Sequence, residues 1–191
     1  MSSFEHLTQD LGAVLAAYSP SEPDQQRLRA AYADHLRTHP GAVAKAGPPA
    51  HFTASCLVVD PGVERVLLTH HRRARQWFQF GGHLEATDLG VHAAAQREAR
   101  EESGLPDLVA LPQPIQLDRH TLAGDFGRCR EHLDIRFVAV AEPGAEPVVS
   151  AESFDVRWWP GSALPADTDR SLVALVVAAR RALAATAAEA R

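Results

Sequence analysis

The sequence predicts a mixed α+β fold in which one core domain follows a helical hairpin. Three observations predict it. Apolar residues recur at three- and four-residue steps near both ends of the chain, which is helical spacing. Several short β-rich runs separated by glycine and proline lie between these ends. One alanine-rich helical segment, from about residue 90 to residue 103, interrupts those runs, so helices and strands alternate along the chain.

The first 40 residues are predicted to form the hairpin. One apolar stripe predicts a first helix, and the turn "SPSEPD" then places Ser21 as the N-cap of a second helix. A segment rich in proline, glycine and alanine follows. We therefore predict a hairpin at 1–40, a linker at 41–50 and the core domain at 51–191. The apolar stripes leave a homodimer open, although such a stripe usually packs against its own sheet.

The core domain is predicted from a change of period after the linker. "FTASCLVVD" and "ERVLLTHH" flank the turn "PGV", and "QWFQF" gives a third strand that ends at Gly81 and Gly82. Gly104 ends the helix that follows. Later strands are expected in "QPIQLDRHTL", "HLDIRFVAVA" and "DVRWWP", with an amphipathic closing helix from Asp169 onward.

Composition and charge limit the classes of function that the chain can have. The chain has 191 residues, 46% hydrophobic and 23% charged, which suits one sizeable globular core. A net charge of -5 supplies no basic field, so no stable nucleic-acid partner is expected. We expect a cytoplasmic chain with no membrane partner, because no basic leader and no long apolar run is present. Neither a CxxC pair nor an HExxH motif occurs, so zinc is not expected.

An acidic cluster on the central helix predicts the functional site. Glu98, Glu101 and Glu102 project toward one region, beside Arg97. Their mutual repulsion is relieved by a hard divalent cation such as Mg²⁺, which favours carboxylate oxygens. Arg97 is then expected to orient Glu101 through an ion pair. The alternative is a solvated helix face, but the preceding double glycine favours a site because it lets backbone approach a metal or a phosphate.

Residues 82 to 105 resemble the signature of the Nudix hydrolase family, G-x5-E-x7-R-E-U-x-E-E-x-G-U, where U is bulky and aliphatic. Gly82 opens the motif, and the R-E pair, the E-E pair and the closing G-U follow at Arg97-Glu98, Glu101-Glu102 and Gly104-Leu105. Three departures stand out: Asp88 replaces the first glutamate, one extra residue precedes Arg97, and Ala99 is small for its position. The role of Asp88 is left open.

The resemblance implies a Nudix-type α/β/α sandwich with a mixed sheet. It also implies hydrolysis of a phosphoanhydride bond in a small-molecule substrate, a nucleoside diphosphate linked to another moiety, with Mg²⁺ or Mn²⁺ as cofactor. The implied metal ligands are the Gly81 carbonyl, Glu98, Glu101 and Glu102. Arg97, Glu101 and Glu102 are the implied catalytic residues, joined by a general base from a later loop.

Other site residues are predicted from their places in the chain. Glu152 and Asp155 are the first candidates for the general base, and Glu131 is a weaker one. Arg72, Arg73 and Arg75 precede the double glycine and offer two-pronged contacts to phosphate, unless they lie on an exposed turn. His83, next to Gly82, either contacts substrate or braces its loop by hydrogen bonding.

The sequence leaves two other functions open. An isopentenyl-diphosphate isomerase shares the expected fold, but neither Cys56 nor Cys129 lies in a recognisable catalytic motif. A non-catalytic nucleotide-binding module is the other alternative. It has less need of Glu98, Glu101 and Glu102 than an enzyme does.

Overall fold

The computed structural model describes residues 3–122, 128–168 and 170–189. The helices within these ranges are α1 (Glu5–Ala17), α2 (Pro23–Thr38), α3 (Val91–Ser103) and α4 (Arg170–Glu189), with a 3₁₀ turn at Pro40–Val43. The strands are β1 (Ala50–Val59), β2 (Arg65–His71), β3 (Gln76–Phe78), β4 (Phe80–His83), β5 (Gln116–Thr121), β6 (Glu131–Val140) and β7 (Ser153–Pro160).

The sheet is built around β1. This strand pairs in parallel with β6 along its whole length and antiparallel with β2 and β4. β5 adds to the outer side of β6, while β3 and β7 both pair with β2. The predicted mixed sheet is therefore confirmed, and β4 carries the double glycine against the middle of β1.

Two hydrophobic cores cover the two faces of the sheet. Along β1, Phe52, Ala54, Cys56 and Val58 face the core shared with α1, α2 and α3. Leu57 and Val59 face the opposite core, which α4 covers. This alternation is the two-residue period of a strand buried on both sides. The three layers confirm the α/β/α sandwich.

α4 closes the second core. Its buried face consists of Leu172, Leu175, Val176 and Ala179. Among the described helices, only α4 is, by length and composition alone, long and apolar enough to cross a membrane. Its mean hydropathy is 1.5. A helix that packs an apolar face on a sheet meets the same criterion.

The hairpin packs on the first core. Leu7, Leu11 and Tyr32 are fully buried there, and the Tyr32 hydroxyl donates a hydrogen bond of 2.5 Å to the Asp118 carbonyl. The predicted N-cap of the second helix is wrong. Glu22 occupies that position without a side-chain cap, because Pro23 begins the helix. The division into 1–40, 41–50 and 51–191 stays a prediction.

The hairpin also caps the helix that carries the acidic cluster. Oδ2 of Asp10 accepts the Val91 backbone N–H at 2.7 Å, while the His6 ring bonds the Asp88 carbonyl at 2.8 Å. Gly90 permits this approach, because a Cβ there would lie 2.7 Å from Asp10 Oδ2. A carboxylate at a helix N-terminus satisfies a free N–H and complements the helix dipole. Residues 81 positions apart thus hold the start of α3 in place.

We predict that Asp10→Ala lowers the free energy of unfolding by about 1 kcal/mol, the usual value of an N-cap. The matched control is Asp34→Ala, which removes a carboxylate of the same hairpin that forms an exposed ion pair with Arg37. Thermal unfolding of the two variants measures the difference. Equal melting temperatures would show that the cap contributes nothing.

Candidate active site

The double glycine on β4 allows two close approaches. A Cβ on Gly81 would lie 2.4 Å from the Ser55 Cβ on β1, and a Cβ on Gly82 would lie 2.5 Å from Oε1 of Glu98 on α3. Gly81 therefore serves the packing of two strands. Gly82 serves the approach of a carboxylate to the backbone of β4, so the acidic face of α3 lies directly on this strand.

The three glutamates of the cluster lie in different environments. The side chain of Glu98 is 14% exposed, and that of Glu101 is 62% exposed. Burial raises the pKa of Glu98, while the Arg97 guanidinium opposes the rise. Burial, with the charges of Glu98 and Glu152, raises the pKa of Glu102 to about 8. The site therefore disfavours a full negative charge on both carboxylates, and a bound cation would remove that penalty.

Arg97 is the cation that holds this arrangement. Its Nε and Nη2 donate to the two oxygens of Asp88 at 2.8 and 3.0 Å, and Nη1 donates to Glu98 at 2.9 Å. The predicted contact to Glu101 is present at 3.3 Å. Asp88 is buried and also accepts the Glu85 backbone N–H at 2.8 Å. The open role of Asp88 is thus resolved as the two-pronged partner of Arg97.

A cavity of about 850 Å³ borders Glu98 and Glu102. Arg72, Arg73, His83 and Glu152 line it together with the double glycine. Arg72 stacks over the Phe154 ring at 4.9 Å, and its backbone N–H donates to the Glu152 carbonyl at 3.0 Å. Lys45 also lines the cavity and was not singled out by the sequence.

Besides Arg97 and Glu101, three other predicted site residues lie outside the lining of this cavity. Arg75 is exposed in the turn between β2 and β3, with a φ of 54°. Asp155 forms an ion pair with Arg157 on β7. Glu131 accepts from Arg119 at 2.7 Å, and this contact lowers the pKa of Glu131. The geometry therefore favours Glu152 over the other two acids as a participant in the site.

A recess of about 180 Å³ continues from Gly81, Gly82 and Glu102 into the sheet. Its wall holds a buried ion pair in which Nε of Arg136 lies 3.0 Å from Asp134. Asp134 also accepts from the hydroxyls of Thr53 and Ser55, at 3.0 and 2.7 Å. Sequence reasoning missed this pair, although a charged "DIR" inside an apolar strand is a usable signal.

His83 lies at the junction of the cavity and a group of histidines of which His51 is buried and His132 partly buried. Its Nε2 is 3.0 Å from Nε2 of His51, and its ring is 5.2 Å from that of His132. Burial lowers the pKa of His83 to about 3. The ring is therefore neutral near pH 7 and does not supply a positive charge to the cavity.

Comparisons with known proteins identify the family and proteins of similar fold. The family model described as NUDIX domain matches residues 49–179. No curated protein matches the sequence significantly. Among solved structures, a NUDIX family hydrolase from Clostridium perfringens is 24% identical with a TM-score of 0.54, covering 70% of this chain and 97% of its own. An Ap4A hydrolase binary complex from C. elegans is 15% identical with a TM-score of 0.57, covering 70% and 98%. The Nudix hydrolase RenU from M. smegmatis is 23% identical with a TM-score of 0.52, covering 71% and 86%.

Substitution of the two glycines is predicted to have different consequences. In Gly82→Ala the new methyl group displaces the flexible Glu98 carboxylate, so metal affinity falls about 10-fold or more while the fold is kept. In Gly81→Ala the methyl group meets strand backbone, so the protein is destabilised. Melting temperature and Mn²⁺ titration of both variants measure this. Equal losses of stability in the two variants would contradict the conclusion that Gly82 makes room for the Glu98 carboxylate.

The raised pKa of Glu102 predicts a pH dependence of metal-free stability. The pKa of the Glu102 carboxyl is about 8 in the folded protein, against an ordinary value of 4.5. Its contribution to the free energy of unfolding is therefore full below about pH 4.5 and is lost as the pH rises toward 8. In EDTA, the free energy of unfolding of Glu102→Gln should rise relative to that of the wild type across this pH range, by on the order of a few kcal/mol. Glu101→Gln, at an exposed position, is the control. A difference in the free energy of unfolding between the wild type and Glu102→Gln that does not change with pH would contradict the raised pKa of Glu102.

Proposed function

Because the chain belongs to the Nudix family of hydrolases, we propose that it cleaves a phosphoanhydride bond in a nucleoside diphosphate linked to another moiety. One observation carries the proposal. The buried Glu102 and the partly buried Glu98 converge on the double glycine at the edge of a cavity of about 850 Å³ that two arginines also line. Negative charge on one wall and guanidinium groups on another suit a metal-bound diphosphate.

The residues present fit a hard divalent cation. Glu98 and Glu102 offer carboxylate oxygens, the Gly81 carbonyl lies on the neighbouring strand, and the side chain of Glu101 is exposed on the same helix. Burial, together with the charge of Glu98, raises the pKa of Glu102, and a cation at that position would oppose this effect. When bound, Mg²⁺ or Mn²⁺ neutralises the diphosphate and activates a water molecule.

The chain's own side chains then position the reactants. Arg97, clamped by Asp88, fixes the orientation of Glu98 and Glu101. Arg72 and Arg73 hold the phosphate oxygens that face away from the glutamates. Glu152 accepts the proton of the attacking water, because it lies in the same cavity and close enough to Glu98 and Glu102 to raise the pKa of both.

Neither alternative function gains support from the structure. Cys56 is fully buried in the first core, where burial raises the pKa of its thiol to about 12. It is therefore unsuited to the proton transfers of an isomerase. A module that only binds nucleotide has no need of a buried pair of glutamates whose charges oppose folding.

We predict that Glu98→Gln and Glu102→Gln each lower the metal-dependent rate by roughly 100-fold or more while the fold is kept, because each removes one ligand charge with little change in shape. The substrates are nucleotide sugars, dinucleoside polyphosphates, CDP-alcohols and oxidised nucleotides, with Mg²⁺ and Mn²⁺. The control is Glu5→Gln, at an exposed position on α1. Undiminished turnover in either variant would refute the assigned roles.

The base assigned to Glu152 predicts a loss of kcat. Glu152→Gln should lower kcat by about 10²- to 10⁴-fold with little change in KM, because the carboxylate that accepts the proton is removed while the substrate contacts are kept. Asp155→Asn, which alters an acid already paired with Arg157, should keep the wild-type kcat. A kcat of Glu152→Gln equal to that of the wild type assigns the proton transfer to another group.

A further inference from the structure

Four side chains with soft or borderline ligand atoms meet beside the candidate active site. They are His51 on β1, His83 at the end of β4, Cys129 before β6 and His132 on β6, here called the His/Cys cluster. One ligand atom of each lies within 4.8 Å of the others. The register of the sheet brings them together, because β1 places His51 opposite His132 and Thr53 opposite His83.

The hydrogen bonds of His51 prepare it as a ligand. Its Nδ1–H donates to the Pro48 carbonyl at 3.1 Å. The neutral ring therefore carries its lone pair on Nε2, the atom that lies 3.0 Å from Nε2 of His83. A histidine that donates one ring N–H to a backbone carbonyl while the other nitrogen faces further ligands is the usual arrangement around a bound metal.

A second observation points to a missing ligand. Nε2 of His132 is buried and has no hydrogen-bond partner among the described residues. Leaving such an atom unpaired costs about 1–3 kcal/mol. The ring of His132 is 5.2 Å from those of His51 and His83, and Sγ of Cys129 is 4.0 Å from Nε2 of His83. A metal ion supplies the partner that the described protein atoms do not.

We infer that the His/Cys cluster is a zinc site with four protein ligands, distinct from the acidic cluster on α3. Imidazole nitrogens and a thiolate suit Zn²⁺, whereas Mg²⁺ favours oxygen. A tetrahedral zinc, with bonds of about 2.0–2.1 Å to nitrogen and about 2.3 Å to sulfur, separates its ligand atoms by roughly 3.3–3.6 Å. Small rotations of the side chains contract the cluster to that size.

The site braces the candidate active site. Four protein ligands leave no open position for substrate, which is the pattern of a structural zinc. His83 follows Gly82, and its carbonyl accepts a hydrogen bond of 3.2 Å from Nη2 of Arg97. A zinc on the His83 ring therefore fixes the end of β4 and one partner of Arg97. This role replaces the substrate contact predicted for His83, and it does not depend on the proposed hydrolysis.

The test measures zinc retained by the full chain after removal of any affinity tag. Protein is loaded with Zn²⁺, dialysed against excess Mg²⁺ to occupy the oxygen ligands, and assayed for metal. We expect about one Zn²⁺ per chain, and Cys129→Ser and His132→Gln should each weaken binding about 100-fold. Strong chelation should lower the wild-type Tm by roughly 5–15 °C. Co²⁺ in place of Zn²⁺ should give a thiolate-to-metal charge-transfer band.

Two control variants locate the metal. Cys56→Ala removes the other thiol and should retain both zinc and the Co²⁺ band. Glu98→Gln alters the acidic cluster and should also retain zinc. The inference is overturned if the wild type keeps no zinc, or if Glu98→Gln loses it while Cys129→Ser keeps it. Should either ligand variant fail to fold, the Co²⁺ spectrum of the wild type decides, since a spectrum without thiolate character excludes Cys129.

Discussion

The approach of the Glu98 carboxylate to the backbone of Gly82 is the contact on which the rest of the site depends. The Glu98 carboxylate can lie this close to β4 only because Gly82 has no Cβ. The approach places Glu98 and Glu102 at the mouth of the cavity rather than in bulk water. It also shields both carboxyl groups from solvent, and this burial raises the pKa of each. The same contact therefore underlies the proposed cation site and makes the metal-free state costly to fold.

The surrounding chain offsets this cost at several points. Arg97 brings one positive charge to the acids, and Asp88 holds its guanidinium by two hydrogen bonds. The hairpin supplies a further constraint, because Asp10 caps α3 and His6 bonds the backbone of the loop that carries Asp88. If the His/Cys cluster holds zinc, it anchors the opposite end of the same strand–loop–helix unit through His83. The electrostatic cost of the acidic cluster is thus offset by side chains from neighbouring elements.

Local signals in the sequence account for much of the fold. The β-rich run "FTASCLVV" predicts a strand, and the β1 it forms separates the two cores. Gly104 ends α3 with a φ of 69°. The motif between Gly82 and Leu105 predicts which acids converge. Contacts between residues distant in sequence were not predictable in the same way. Asp10 is separated from Val91 by 81 positions, and no local pattern indicates that pairing. The cluster of histidines follows from strand register, although Cys129-x2-His132 was an available signal.

The central claim is that the buried acids of α3 bind a divalent cation against β4. Anomalous diffraction from crystals soaked in Mn²⁺ tests it most directly. The account predicts a manganese peak in direct contact with the carboxylates of Glu98 and Glu102 and with the Gly81 carbonyl. Crystals that show no peak there, with these side chains turned apart toward solvent, would contradict it.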